Sequence, residues 1–142
     1  MTITQLSIFI ENRSGTLLQV LSVLKMAGIQ IIASTIADTA EYGIYRIICS
    51  EPQRAYDELR QAGITVTVSN VFAIQLDNQP GRAAEAIEAF GREGISIAYL
   101  YSFLLDGKGI LVFRTADEEL ARQTILSNGL DYISEEHLAR LA

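Results

Sequence analysis

Two short turns carry the side chains with the clearest chemical possibilities. One reads Asn12-Arg13-Ser14-Gly15-Thr16-Leu17, the other Asn78-Gln79-Pro80-Gly81-Arg82-Ala83. Each follows an alternating apolar run and leads into a segment with helical periodicity. A glycine at a helix start lets a ligand approach backbone N–H groups that have no partner inside the helix, and the helix dipole favours negative charge there. The chemistry on offer is anion recognition, of a carboxylate for example. Pro80 suits a place just ahead of, or within, a first helical turn, where a missing N–H costs nothing. Arg13 and Arg82 flank the turns, either attracting an anion or serving as solvated loop arginines. The competing reading is that both segments are only tight strand-to-helix turns, which a duplication copies as readily as it copies a site.

Covalent or metal chemistry has little to work with. The chain has one histidine, His137, and one cysteine, Cys49. No nucleophile, base and orienting group can be assembled around them, and no multi-histidine or multi-cysteine metal site can form. The expectation is no enzyme, no metal and no cofactor. Cys49 lies in an apolar strand and reads as an inert, partly buried thiol, and His137 reads as a surface residue. Tyr99 and Tyr101 share one face of a strand and read as sheet-face packing, while Tyr42, Tyr45 and Tyr56 read as core-edge residues. Asp117-Glu118-Glu119 suits the first turn of a helix better than a cation site.

Charge and composition narrow the classes further. Among 142 residues, 17 are acidic and 11 basic, for a net charge of −6, which disfavours a nucleic-acid backbone as partner. Hydrophobic residues make up 49% and charged residues 20%, a globular balance. The opening MTITQLSIFIENRSG has neither the basic region nor the long apolar core of a signal peptide. No apolar run approaches the roughly 18 residues that span a membrane. The expected setting is a soluble protein of the reducing cytoplasm.

The elements that position the two turns come in two copies. An offset of 66 residues pairs Asn12 with Asn78, Gly15 with Gly81, Gly28 with Gly94, Ile29 with Ile95, Ile31 with Ile97, Gly43 with Gly109, Ile44 with Ile110, Ala55 with Ala121 and Gly63 with Gly129. No gap is needed. The seam falls near Asn70, giving one unit over 1–69 and a second over 70–142, with almost no linker. In the first unit, Leu6, Ile8 and Ile10 predict a strand, and Leu17, Val20, Leu21 and Leu24 a helix ended by Ala27-Gly28. Strands follow over 29–38 and 44–50, then a helix over 51–62 with Ala55, Leu59 and Ala62 inward, then a strand over 64–69. In the second unit, Phe72, Ile74 and Leu76 predict a strand, and Ala83, Ala86, Ile87 and Phe90 a helix stripe. Strands over 95–105 and 110–115 meet at Asp106-Gly107-Lys108-Gly109, a hairpin turn. A helix over 117–128 is closed by Gly129, a short strand covers 131–133, and Ser134 caps a terminal helix. Each unit is βαββαβ, so the fold class is α+β: two ferredoxin-like units, each with helices on one face of an antiparallel sheet. Within a unit nothing covers the other face. The net charges of residues 1–70 and 71–142 are −1 and −5, which reads as solvation of the second half.

This pattern resembles the ACT domain. That family's signature runs aspartate, any residue, proline, glycine, any residue, leucine, then a helix with spaced Val and Leu that ends in glycine-isoleucine-asparagine-isoleucine. The first unit matches with Asn12, Gly15, Leu17, Val20, Leu24 and Gly28-Ile29-Gln30-Ile31. The second matches with Asn78, Pro80, Gly81, Ala86, Phe90 and Gly94-Ile95-Ser96-Ile97. Asn replaces Asp in both copies, Ser14 replaces Pro in the first, and Ala83 replaces Leu in the second. Gln30 and Ser96 stand where Asn is usual. The resemblance implies tandem ACT units packed side by side, in a non-catalytic regulatory protein. It would bind an amino acid or similar small carboxylate at the interface of the units and signal to a separate partner enzyme or regulator. The implied ligand-binding residues are Asn12, Ser14, Gly15, Thr16 and Leu17 facing Ile95, Ser96 and Ile97, and Asn78, Pro80, Gly81, Arg82 and Ala83 facing Ile29, Gln30 and Ile31. A homodimer stays open, and no nucleic acid or membrane partner is expected. The alternative is a ferredoxin-like structural or protein-interaction module with no metabolite ligand. Acylphosphatases share the fold plan and use an arginine in a glycine-bearing first loop, but only Arg13 answers that pattern here. The RNA-binding version of the fold wants basic surroundings that an acidic chain lacks.

Overall fold

Strand β1, Ile3–Glu11, shows how alternation builds this chain. Leu6 and Ile8 enter a core with helix residues, and Gln5 and Ser7, which alternate with them, are buried on the opposite face. The computed structural model describes residues 1–11, 15–38 and 42–141. After β1 come helix α1 (Thr16–Met26), strands β2 (Ile31–Asp38) and β3 (Tyr42–Cys49), helix α2 (Pro52–Gln61) and strand β4 (Val66–Asp77). Helix α3 (Arg82–Arg92), strands β5 (Tyr99–Leu105) and β6 (Lys108–Arg114), helix α4 (Glu118–Ser127), strand β7 (Asp131–Tyr132) and helix α5 (Glu135–Leu141) complete it.

The chain divides into two compact units. The first comprises Thr4–Ser69 and the chain end from Leu138, and the second comprises Met1–Ile3 and Asn70–His137. In the first, the strand order is β2-β3-β1-β4, through the beginning of β4. In the second, the remainder of β4 lies between β6 and β7, and β5 pairs with β6, so the order is β5-β6-β4-β7. These are one topology written twice. The register agrees residue by residue: Leu6 faces Ile47 as Phe72 faces Phe113, and Glu11 faces Tyr42 as Asp77 faces Lys108. A slip of one residue would turn every apolar side chain to the wrong face, so this agreement preserves the cores.

Those cores correspond position for position. In the first unit Leu6, Ile8, Val20, Leu24, Ile29, Tyr45, Ile47, Ala55 and Leu59 are buried together, with Cys49 and Val66. Adding 66 to each of the first nine gives Phe72, Ile74, Ala86, Phe90, Ile95, Leu111, Phe113, Ala121 and Ile125, the buried core of the second. The volumes trade: Val20 becomes Ala86, while Leu24 becomes Phe90 and Ile47 becomes Phe113. Phe113 lies 5.5 Å from Phe72 and 4.9 Å from Phe90 between ring centroids, contacts that favour aromatic pairing.

Helix ends follow local chemistry. Asp117 accepts a hydrogen bond from the Leu120 N–H at 3.1 Å and so caps α4, and Ser134 accepts from the His137 N–H at 3.2 Å. Helices α1 and α3 close alike: the Ile29 N–H donates to the Leu24 carbonyl and the Ile95 N–H to that of Phe90. The β5–β6 hairpin turns at Asp106 and Gly107, with φ of 52° and 75°, the pair of left-handed residues that a two-residue hairpin demands.

Four expectations are corrected. The strands read over 64–69 and from Phe72 are one strand, β4, of 12 residues. Ser69 and Asn70 look like turn residues but carry no glycine or proline to break the extended chain. The strand read from Ile95 begins at Tyr99. Ile95 is committed to closing α3, and pairing with β6 stops near Arg114, whose carbonyl accepts from the Ala98 N–H. Its counterpart read from Ile29 begins at Ile31 for the same reason. Ala62 and Ala83, read as inward, are exposed because each sits at a helix end, beyond the reach of the apolar stripe.

Candidate functional site

The first turn leaves β1 at Glu11 and enters α1 at Thr16. Asn12, Arg13 and Ser14 lie outside the described residues. Gly15 has φ 92° and ψ −16°, a conformation that disfavours any side chain with a Cβ, and its carbonyl accepts the first helical bond from the Gln19 N–H at 3.0 Å. Gly15, as the N-cap, offers no side chain to cap α1. The Thr16 hydroxyl instead donates back across the turn to the Glu11 carbonyl at 2.7 Å. Leu17 is half-buried against the core, which fixes the pitch of the helix start.

The second turn repeats the backbone and changes the side chains. Gly81 has φ 86° and ψ −7°, its carbonyl accepts from the Glu85 N–H at 3.0 Å, and again no side chain caps the helix. Pro80 and Asn78 are exposed ahead of it, and Ala83 is exposed on α3. The Gln79 N–H donates to the Asp77 carbonyl at 2.8 Å. Arg82 is not a free loop arginine. Its Nε lies 2.7 Å from Asp77 Oδ1 and its Nη1 3.2 Å from Glu85 Oε1. Hydrogen bonding and charge from Asp77, then Glu85, raise the guanidinium pKa further.

The partner segments implied by the resemblance sit elsewhere within each unit. Ile29 and Ile95 are core residues; Gln30 and Ser96 are exposed; Ile31 and Ile97 are half-buried against the cores. The Gln30 N–H donates to Ser50 Oγ at 3.0 Å. In the first unit, α1 separates Gly15 from these residues by about 16 Å, the length of 11 helical residues. No unit brings its own turn and its own Ile-x-Ile segment together.

A cleft beside the first turn was not read from the sequence. It encloses about 440 Å³, and its walls include Phe9, Glu11, Thr16, Gln19, Val20 and Ile64. Sheet order makes it: β1 and β4 are neighbours, so the residues before β4 come beside the start of α1. The Phe9 N–H donates to the Thr65 carbonyl at 2.9 Å and pins the two edges. The sequence signal available was the matched Gly63, which marks where the chain turns into β4. In the second unit a smaller hollow of about 290 Å³ adjoins Gln75, Leu130 and Asp131, the counterparts of Phe9, Ile64 and Thr65.

The remaining candidates have structural roles. Burial pushes the Cys49 thiol up to about 11, the reverse of what a nucleophile needs. Asp117 caps α4, and Glu119 is held below the usual carboxylate range by its hydrogen bond to Arg122. Arg60 donates to the Tyr56 hydroxyl at 2.8 Å. Among the described residues no three His, Cys, Asp or Glu side chains cluster as a metal site would require, and no helix is long and apolar enough to cross a membrane.

Comparison with known proteins decides the family. The model of the ACT domain pair matches residues 1–142. The chain belongs to the ACT domain pair family. The crystal structure of protein BT0572 from Bacteroides thetaiotaomicron is similar to it at 33% identity, over 99% of this chain and 97% of that one, with a TM-score of 0.94. The ligand-free regulatory subunit of aspartate kinase from Thermus thermophilus shares the fold at 14% identity, over 87% of this chain and 91% of that one, with a TM-score of 0.63. Its counterpart from Thermus flavus shares it at 16% identity, over 87% and 90%, with a TM-score of 0.60. No curated protein matches the chain. ACT domains are regulatory rather than catalytic modules that bind small molecules, typically amino acids.

Proposed function

We propose that this ACT domain pair is a non-catalytic regulator that binds an amino acid or similar small carboxylate at its strand-to-helix turns and signals to a separate partner enzyme or regulator. The observation that carries the reading is the shared geometry of Gly15 and Gly81. Both hold a left-handed backbone as the N-cap of a helix, and as glycines they bring no capping side chain of their own. Among the described residues, no atom beyond the chain neighbours lies within 4 Å of a Cβ built at either glycine, which leaves space beside each turn for a ligand. Asn12, Ser14, Gly15, Thr16 and Leu17, and their counterparts from Asn78 to Ala83, are the residues proposed to line it. Binding that favours one arrangement of the chain shifts its population and changes the surface shown to the partner.

A thermal-shift screen against the common amino acids, their 2-oxo acids and other small carboxylates tests this. A ligand at 100 times its Kd that binds only the folded chain adds about 2.7 kcal/mol of stability. A saturable rise in Tm confined to one chemical class supports the reading, and a flat screen of folded protein overturns it. The alternative, an interaction module with no metabolite, draws on strand β5, where Leu100 and Leu104 are 48% and 65% exposed. A flat screen favours that alternative.

A further inference from the structure

Strand β5 stands at one end of the strand order, with β6 on one side and no strand among the described residues on the other. Its sequence, Tyr99-Leu100-Tyr101-Ser102-Phe103-Leu104-Leu105, holds no charge, proline or glycine. Charges, prolines and bulges are what keep a strand edge from pairing with another chain. The duplication supplies a contrast. Strand β2 is the end strand of the first unit, but its pairing with β3 slips between Ile31 and Ala33, and it ends on Asp38. Strand β5 pairs with β6 in unbroken register, from Leu105 and Lys108 to Tyr99 and Arg114.

The hairpin decides which backbone groups face outward. In a two-residue hairpin the closing pair, here Leu105 and Lys108, exchanges both hydrogen bonds, and bonded pairs then alternate along the ladder. Phe103, Tyr101 and Tyr99 therefore turn their N–H and C=O groups to β6. Leu104, Ser102 and Leu100 turn theirs to the open edge. The same three residues are exposed, Leu100 at 48% and Leu104 at 65%. Their side chains share one face of the sheet.

We propose that β5 pairs antiparallel with β5 of a second copy of this chain, about a two-fold axis at Ser102. The strand is nearly palindromic about that residue, which is what selects a second copy as its partner. Ser102 meets Ser102 of the second copy, and Leu100 meets Leu104 of the second copy. Each outward N–H and C=O of the three residues then finds a partner, and the exposed leucines cover each other. On the other face Tyr101 meets Phe103 of the second copy and Tyr99 meets Leu105. A closed two-fold dimer requires this kind of self-complementary patch. The pairing goes beyond the ligand reading and does not depend on it.

The test uses the full chain without ligand. Sedimentation equilibrium at about 100 μM, above the micromolar limit of a specific interface, returns twice the chain mass. A monomer under those conditions overturns the proposal. Leu100→Lys with Leu104→Lys sets like charges opposite each other across the axis and returns a monomer with native far-ultraviolet dichroism. Leu100→Glu with Leu104→Glu does the same. Mixed in equal amounts, the two variants return a dimer. A dimer that persists in either variant alone, or a mixture that stays monomeric, overturns the pairing. If these variants do not fold, Ser102→Cys decides. The Cα atoms of a bonded pair lie about 5.5 Å apart, within reach of a disulfide. Mild oxidation then links two copies through position 102, while Cys49 is buried and stays out of the reaction. Leu18→Cys, at an exposed position on α1, stays unlinked. No link at position 102, or equal linking at both positions, overturns the pairing. Every arm is read without ligand, so failure here leaves the amino-acid reading standing.

Discussion

Gly81 and Gly91 sit in the same helical region and respond oppositely to one added methyl group. Gly81 precedes α3 with φ 86°, while Gly91 lies inside α3 and is not among the positive-φ glycines. Among the described residues, a Cβ at either position meets no atom beyond its local backbone within 4 Å, so neither substitution creates a packing clash and the effect is backbone conformation. In Gly81→Ala the Cβ crowds the carbonyl in a left-handed conformation, at a cost of roughly 1–2 kcal/mol. In Gly91→Ala the same methyl group reduces the freedom of the unfolded chain in a conformation alanine prefers, a gain of about 0.5–1 kcal/mol. Urea unfolding followed by dichroism at 222 nm reads both. The midpoint falls for Gly81→Ala and rises for Gly91→Ala, with the slope unchanged in each. Gly15→Ala, with φ 92°, behaves as Gly81→Ala does. A neutral or stabilising Gly81→Ala would refute the left-handed helix start, and with it the argument that these glycines are placed for the turn.

Four further outcomes follow from the packing, the buried thiol and the helix caps. Phe113→Ala removes the ring between Phe72 and Phe90 and costs about 3–5 kcal/mol in the same titration, and a loss below 1 kcal/mol would contradict the aromatic core. Cys49, raised to about 11, stays a neutral thiol at pH 8, so native protein reacts slowly with iodoacetamide and urea-unfolded protein fast. The folded chain holds this proton more tightly than the unfolded one, so its contribution is intact below about pH 9 and is lost as pH rises towards 11; Cys49→Ala removes that part of the alkaline decline. Asp117→Ala deletes the cap of α4 and lowers stability by about 1 kcal/mol in urea unfolding.

Much of this architecture is legible in the residues because the duplication repeats each signal. The offset that aligns Gly15 with Gly81 also aligns nine buried core positions and the strand registers, although few of those core residues are identical. What failed to show was of two kinds. Ser69-Asn70 has the polarity of a turn without the backbone of one, so two strands were read where hydrogen bonding continues through β4. Ile95 and Ile97 have strand-forming side chains, but the chain there serves to close α3, and only long-range pairing decides where β5 starts. The cleft was hidden for a related reason. Glu11, Thr16 and Gln19 are close in sequence, but Ile64 joins them only through the neighbouring of β1 and β4, which no local pattern reports. The Arg82 ion pairs were equally unreadable, since Asp77 and Glu85 are useful partners only once Gly81 turns the chain between them.

The most direct test is binding itself. Calorimetric titration of the full chain with the amino acid that gives the largest rise in Tm should return saturable heat. A folded chain that gives no heat with any of the common amino acids would contradict an account in which this domain pair senses such a ligand at its strand-to-helix turns.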